Sequence, residues 1–134
     1  VKNKIPVLGH IGITPQTTKG KFKSKGKTET EKKKLKNDAK VLEQSGAFGI
    51  VLECIYSDIS KKITNLIKIP TIGIGASIHC DGQVLVTDDI LGLTNAKIKF
   101  VKKYTNIKKI INSAVFKFKQ EVKSKKYPTK KYSY

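Results

Sequence analysis

Three largely apolar runs, at residues 5–13, 46–55 and 69–76, set the pattern of the first part of this chain. Runs of this length without polar alternation predict strands that are buried on both faces of a sheet. A fourth strand is predicted over residues 83–89, after the turn at Asp81-Gly82. The run at 46–55 is the most uniform, and we expect the other elements to pack around it.

Apolar residues at helical spacing predict helices between and after these strands. Thr28 followed three residues later by Glu31 is a capping box, and we expect the helix that it opens to end at Ser45-Gly46. A second helix is predicted from Ser57 to Lys68, and a third over residues 100–123. The apolar positions of the first two helices are Leu35, Ala39, Leu42, Ile59, Ile63 and Leu66.

The order strand, helix, strand, helix, strand, strand, helix predicts an α/β fold with parallel strands joined by crossovers. About three substantial helices are too few to cover both faces of a four-stranded parallel sheet. A half-built parallel barrel explains this shortfall better than a complete doubly wound domain. We therefore expect one partial domain over residues 1–134, whose last residues, 124–134, form an irregular basic tail.

Polar groups follow each predicted strand. They are His10, Glu53, the turn Gly75-Ala76-Ser77 and the run Thr87-Asp88-Asp89. In a parallel barrel the chemistry lies at the carboxyl ends of the strands, so these groups are candidates for one site. Three of these residues have a plainer interpretation: Glu53 can face solvent, His10 can be a hydrogen-bonded structural histidine, and Asp89 can cap a helix or turn.

The formal charge of +18 favours binding to polyanions, but all 28 basic residues are lysine. Base readout and bidentate phosphate contacts favour arginine, so we expect no specific nucleic-acid partner. No apolar run is long enough to span a membrane and no secretory signal is visible, which predicts a cytoplasmic protein. Cys54 and Cys80 are expected to be reduced thiols, and the consecutive residues His79-Cys80-Asp81 are a poor metal site.

Four segments in order resemble the ketopantoate (3-methyl-2-oxobutanoate) hydroxymethyltransferase family. They read Gly-His-Ile-Gly-Ile-Thr-Pro-Gln at 9–16, Val-Leu-Glu-Cys at 51–54, Ile-Pro-Thr-Ile-Gly-Ile-Gly-Ala at 69–76 and Cys-Asp-Gly-Gln-Val-Leu-Val at 80–86. The resemblance runs to the end of the chain and covers only the carboxyl-terminal half of the family's sequence. It implies a (β/α)8 TIM barrel, of which this chain supplies strands five to eight and the C-terminal helix.

The family transfers a hydroxymethyl group from 5,10-methylenetetrahydrofolate to 3-methyl-2-oxobutanoate with Mg²⁺, in pantothenate biosynthesis. By this resemblance Glu53 is the proton acceptor, His10 contacts the bound oxoacid, and Ile74 and Val86 form an apolar wall. The family's metal ligands lie in the other half, so the resemblance assigns no metal ligand to this chain. It also implies a homo-oligomer for a full-length protein.

The sequence departs from the family pattern at three places. Ser77 replaces a usual Gly, Asp88 stands where a His is common, and the lysine-rich loop at 19–25 is shortened, which bears on the folate contacts. Two interpretations therefore remain. The chain is either the catalytic half of the transferase, or an inactive half-barrel that acts at most as a structural or interaction fragment.

Overall fold

A computed structural model of the protein describes residues 3–14, 23–95 and 97–134. The chain forms two compact units, residues 1–84 and residues 85–134. Most of the loop predicted after the first strand, including residues 19–22 of its lysine-rich part, lies outside the described residues.

The first unit is built on a parallel sheet. Its strands are β1 (Leu8–Gly12), β2 (Gly49–Glu53), β3 (Thr71–Ile74) and β4 (Gly82–Gln83), in the spatial order β1-β2-β3-β4. All three neighbouring pairs are parallel. The predicted α/β class with a parallel sheet is thereby confirmed.

The fourth strand is much shorter than predicted. β4 contains two residues, and the acidic segment expected to finish it instead forms a short helix, α3 (Thr87–Ile90). The cause lies in β3, which ends at Ile74, because Gly75 takes a positive φ of 61° and turns the chain away. After the hydrogen bond from the Val84 N–H to the Gly73 carbonyl at 3.0 Å, the chain has no strand to pair with. Asp88 and Asp89 lie in the first turn of α3, where acids suit the helix dipole.

The helix α1 (Glu29–Gln44) follows the prediction closely. The Thr28 hydroxyl accepts a hydrogen bond from the Glu31 N–H at 3.2 Å, and the Glu31 carboxylate accepts one from the Thr28 N–H, which completes the capping box. Leu35 and Ala39 are buried. The capping signature therefore located this helix correctly.

The second helix, α2 (Ser57–Thr64), ends earlier than predicted. The amides of Asn65, Leu66 and Ile67 fold back onto carbonyls of the last turn, and the helix stops there. This exit buries Ile67, which is 7% exposed, and leaves Leu66 38% exposed. Ile67 thus takes the core position that helical spacing assigned to Leu66.

The core lies between the sheet and the two helices α1 and α2. Alternate residues of β1 and β2 point to this side, among them Ile11, Ile50 and Leu52. They pack with Ile59 and Ile63, both 0% exposed, and with the buried apolar face of α1. The opposite face of the sheet carries the remaining alternate side chains, including the candidate site residues His10 and Glu53.

The second unit contains α3 and a longer helix, α4 (Ile107–Lys123). Predicted to start near residue 100, α4 begins later because the Asn106 side chain accepts a hydrogen bond from the Lys109 N–H at 3.0 Å and caps the helix. Asp89 is buried and accepts a hydrogen bond from the Thr94 hydroxyl. The tail contains a 3₁₀ turn at Lys130–Tyr132, and the Tyr127 ring meets the Phe118 ring edge-on at 5.4 Å.

Throughout the part of the chain that the structure describes, no helix has the length and apolar character needed to cross a membrane.

Candidate functional site

His10 and Glu53 come together on the open face of the sheet. In the parallel register His10 lies opposite Val51 and Gly12 lies opposite Glu53. Since side chains alternate along a strand, His10 and Glu53 project to the same face two positions apart. The Nε2 atom of His10 lies 3.2 Å from the Oε2 atom of Glu53. The strand pattern predicted this convergence at the carboxyl ends, and the structure contains it.

The pair is partly shielded from water. The side chain of His10 is 34% exposed and that of Glu53 is 19% exposed. His10 contacts the carboxylate through Nε2 at ion-pair distance. A carboxylate has two acceptor oxygens, and this contact uses Oε2. The arrangement is therefore able to take a proton from a bound molecule while the histidine fixes the orientation of the acid.

The two apolar residues predicted for the site lie in different units. Ile74 is the last residue of β3 and the register partner of Glu53, so it stands beside the carboxylate on the same face. Val86 belongs to residues 85–134, where it precedes α3 and is 54% exposed. The structure thus brings three of the four predicted residues, His10, Glu53 and Ile74, to one face of the first unit.

Backbone hydrogen bonds from three separate segments fix the end of β2. The Ile13 N–H donates to the Glu53 carbonyl at 3.0 Å, and the Cys54 N–H donates to the Ile74 carbonyl at 2.9 Å. The Lys25 N–H donates to the Cys54 carbonyl at 2.9 Å. Cys54 itself has a positive φ of 52°, which is uncommon outside glycine. Glu53 is therefore the last extended residue before a tightly held turn.

Gly12 allows β1 to approach this turn. It has a φ of 108°, and a Cβ placed on it would overlap the Glu53 carbonyl oxygen and lie 2.9 Å from Cγ1 of Ile55. Only glycine fits both the conformation and the space. A glycine at the end of the first strand is a sequence feature that could have indicated this close approach. No sequence feature indicates the hydrogen bond between Lys25 and Cys54.

The Cys54 thiol next to the carboxylate is a weak candidate for a nucleophile. Burial raises the pKa of this thiol, and the negative charge of Glu53 raises it further. A thiol with a raised pKa stays protonated near neutral pH, and the thiolate is the reactive form. Cys54 is therefore a poor candidate for a reactive group at this position.

A second polar group surrounds Ser77, which is 3% exposed. The Ser57 hydroxyl donates to the Ser77 hydroxyl at 3.1 Å, and the Gln83 side chain donates to the Ser77 carbonyl at 2.8 Å. Gln83 also lies against Gly73, where an added Cβ would be 2.9 Å from its Oε1. These contacts tie the start of α2 and strand β4 to the turn after β3. Sequence reasoning named Ser77 in a candidate turn after the third strand and as a departure from a family pattern, and it missed Gln83.

His10 also lines a cleft on the side of β1 that faces α1. The cleft has a volume of about 470 Å³, and its walls include Ile11, Lys25 and residues of α1. Glu53 is not among the lining residues. His10 therefore contacts the carboxylate and also borders this cleft.

Residues 3–14, 23–95 and 97–134 contain no group of three or more His, Cys, Asp and Glu side chains that could hold a metal ion. Glu53 and His10 form a pair, which is short of the ligand number that a divalent cation takes. The described residues thus do not offer a complete site for Mg²⁺.

Comparison with known proteins gives a consistent result. The sequence profile of the ketopantoate hydroxymethyltransferase family matches residues 1–130. The chain is 58% identical over 134 residues to the 3-methyl-2-oxobutanoate hydroxymethyltransferase of Pelagibacter ubique (strain HTCC1062), and covers 52% of that protein. It is 51% identical to the enzyme of the same name from Clostridium botulinum (strain 657 / Type Ba4) and 47% identical to that of Pyrobaculum aerophilum, covering 50% and 51% of their lengths. The chain thus spans about half the length of the curated relatives that it matches.

Proposed function

Because the chain belongs to the ketopantoate hydroxymethyltransferase family, we propose that it is the carboxyl-terminal, base-carrying half of a 3-methyl-2-oxobutanoate hydroxymethyltransferase. Its four parallel strands correspond in this proposal to strands five to eight of a (β/α)8 barrel, which the remaining half completes. The observation that carries the proposal is the Glu53 carboxylate held 3.2 Å from His10 beside the end of β3.

Glu53 acts in this proposal as the general base. The hydrogen on C3 of 3-methyl-2-oxobutanoate is next to the C2 carbonyl, and Glu53 takes it as a proton. The carbanion left at C3 forms a bond to the methylene carbon of 5,10-methylenetetrahydrofolate. The bonds from that carbon to the two folate nitrogens break, and water supplies the hydroxyl group. One nitrogen takes the remaining proton of the water and the other takes the proton from Glu53. The products are ketopantoate and tetrahydrofolate, and Glu53 is again a carboxylate.

His10 and the apolar residues orient the substrate. His10 holds the base through its ring nitrogen and presents its exposed edge to the carboxylate end of the oxoacid. Ile74, beside Glu53 on β3, offers an apolar surface to the isopropyl group. By family likeness, we also propose Val86 as an apolar contact for the substrate.

The family likeness also implies Mg²⁺. The described residues do not form a complete site for the ion. In the proposed assembly, the other half of the barrel supplies the ligands.

A hybrid enzyme tests the proposal. The matched 52% of the Pelagibacter relative is replaced by this chain, which aligns with it over all 134 residues. We expect the hybrid to form ketopantoate from the oxoacid and methylenetetrahydrofolate, and the chain alone to form none. Glu53→Gln in the hybrid keeps the shape of the side chain and removes the base. It should lower turnover and deuterium exchange at C3 by about 100-fold or more, the usual contribution of a general base.

Glu29→Gln is the matched control, because Glu29 lies on α1 with its side chain 81% exposed. It should leave turnover within about twofold of the parent hybrid. Normal exchange at C3 in Glu53→Gln would contradict the assignment of the base. An inactive hybrid that is folded would instead favour an inactive half-barrel, in which β1 and β4 at the borders of the sheet serve only association.

A further inference from the structure

The side chain of Gln83 holds the main chain of the turn that follows β3, and the proposed proton transfer does not use it. Its Nε2 donates to the Ser77 carbonyl at 2.8 Å, and the Cys80 N–H donates to the same carbonyl at 3.2 Å. Ser77 is 3% exposed, so little water is available to replace a lost hydrogen-bond donor. Because the acceptor is a main-chain atom, this hydrogen bond does not depend on the side chain at position 77.

Gly73 makes room for the Gln83 amide. A Cβ added to Gly73 would lie 2.9 Å from Oε1 and 3.1 Å from Nε2 of Gln83. The φ of Gly73 is not in the positive range, so the need for glycine comes from space and not from backbone conformation. Gly73 and Gln83 are also register partners in β3 and β4. The missing side chain of one residue thus gives the other the position from which it reaches the turn.

Gln83 acts from the face of the sheet opposite to the candidate site. Gly73, over which its amide lies, pairs with Leu52, a core residue that is 0% exposed. The next residue of β3, Ile74, pairs with Glu53 and points to the other face. The amide of Gln83 therefore lies on the core side, and any effect on the reaction passes through the main chain of the turn.

The turn after β3 is held on both sides. Before it, the Ile74 carbonyl accepts a hydrogen bond from the Cys54 N–H at 2.9 Å. Gly75, with a φ of 61°, then turns the chain, and Gln83 holds the carbonyl of Ser77 two residues later. The turn lies at the carboxyl end of β3, where parallel barrels carry their chemistry. Its position therefore sets where the side chain of Ile74 stands.

We propose that Gln83, seated over Gly73, is a positioning residue that sets the substrate preference of the site. The inference rests on the proposed function, since that function places Ile74 against the isopropyl group of the oxoacid. Without the hydrogen bond from Gln83, the turn and Ile74 shift relative to the substrate. Glu53 stays in place, because the Ile13 N–H holds its carbonyl independently of the turn. Substrate binding is thus weakened while proton transfer is kept.

The hybrid enzyme carrying Gln83→Met tests this role, since methionine has a similar length and no N–H donor. The KM for 3-methyl-2-oxobutanoate should rise about fivefold, the usual effect of losing one hydrogen bond, with kcat within twofold. 2-Oxobutanoate lacks one methyl group, a difference worth about 10-fold or more in a fitted apolar pocket. The ratio of kcat/KM for the branched over the unbranched oxoacid should fall about threefold.

Gln44→Met is the matched control, because Gln44 is an exposed glutamine at the end of α1. It should change KM and the ratio by less than twofold. Gly73→Ala is a second route to the same loss, because its Cβ displaces the Gln83 amide. It should change KM and the ratio as Gln83→Met does. In the double variant the combined effect should be smaller than the product of the two single effects.

Hydrogen exchange in the 134-residue chain measures the turn without any need for activity. The Cys80 N–H shares the Ser77 carbonyl with Gln83, so its exchange should be faster in Gln83→Met and unchanged in Gln44→Met. Unchanged exchange at this amide would overturn the proposal.

Selectivity separates positioning from stability alone. A lower Tm in Gln83→Met with an unchanged ratio of the two oxoacids would overturn the positioning role, as would effects that multiply in the double variant. If Gln83→Met does not fold in the hybrid, Gly73→Ala gives the same comparison. An active parent hybrid with unchanged selectivity in these variants refutes the role of Gln83 only. A folded but inactive parent hybrid refutes the function, and exchange at Cys80 then still decides whether Gln83 holds the turn.

Discussion

Replacing Gly12 by alanine gives the sharpest test of how Glu53 is positioned. At φ 108° an alanine is strained, and its Cβ would overlap the Glu53 carbonyl oxygen. Forcing a side chain into such a conformation costs of order 1–3 kcal/mol. Moving the carbonyl away also weakens the 3.0 Å hydrogen bond from the Ile13 N–H, which is worth about 1 kcal/mol.

We therefore expect Gly12→Ala to lower the free energy of unfolding by about 3 kcal/mol. For a chain of this size the corresponding fall in Tm is about 12 °C, measured by circular dichroism. In the hybrid enzyme the same change displaces the end of β2, and an error of about 1 Å in the position of a catalytic group costs of order 100-fold in rate. Turnover should therefore fall even below the new Tm.

Gly82→Ala is the matched control for this experiment. Gly82 also lies in a strand of the sheet, but its φ is not in the positive range and an added Cβ would be 3.4 Å from Cδ1 of Ile72, an ordinary contact. It should change the free energy of unfolding by less than about 1 kcal/mol. Equal Tm values for the two variants would refute the close packing of β1 on the end of β2.

Two further predictions concern the core and the response to acid. Ile63→Ala should lower the free energy of unfolding by about 3 kcal/mol, because Ile63 is 0% exposed. Leu66→Ala should lower it by less than about 1 kcal/mol, because Leu66 is 38% exposed. Urea titration measures both values, and equal effects would contradict the observed end of α2. The backbone amide and the hydroxyl of Thr71 donate to Asp81 at 2.8 and 2.9 Å and lower the pKa of this carboxyl. The stability that Asp81 contributes is therefore present above its unfolded pKa of about 3.9 and is lost as the pH falls through the lower folded value. Asp81→Asn should flatten that part of the acid unfolding profile, and superimposable acid limbs for the two proteins would contradict the role of these hydrogen bonds.

Elements marked by a pattern within their own residues were predicted correctly. The capping box at Thr28 located α1, and the uniform apolar run located β2 with Glu53 at its end. The prediction of the fourth strand over residues 83–89 was wrong. Val84 and Val86 have the spacing of a strand, but a strand also needs a neighbouring strand to pair with. That partner, β3, stops at Ile74, and nothing in residues 83–89 records where a neighbouring strand ends.

The candidate site could be predicted only in part for a similar reason. Parallel strands bring their carboxyl ends to one edge, so the meeting of His10 with Glu53 followed from the order of the elements. The contact of Lys25 with Cys54 joins residues far apart in sequence through main-chain atoms, which leave no trace in side-chain composition. The same holds for Gln83, whose side chain reaches Ser77 across the turn after β3.

The end of β2 is held largely by main-chain groups, and this affects how the position of Glu53 depends on the sequence. The amides of Ile13 and Lys25 and the carbonyl of Ile74 would make the same hydrogen bonds with other side chains at these positions. The side chains near Glu53 can therefore be replaced, for example by lysine, without moving Glu53. The high lysine content of the chain is thus compatible with the observed position of this carboxylate. The exception is Gly12, where the requirement is the absence of a side chain. The position of Glu53 thus depends on side-chain identity at His10, which contacts the carboxylate, and at Gly12, which admits the strand beside it.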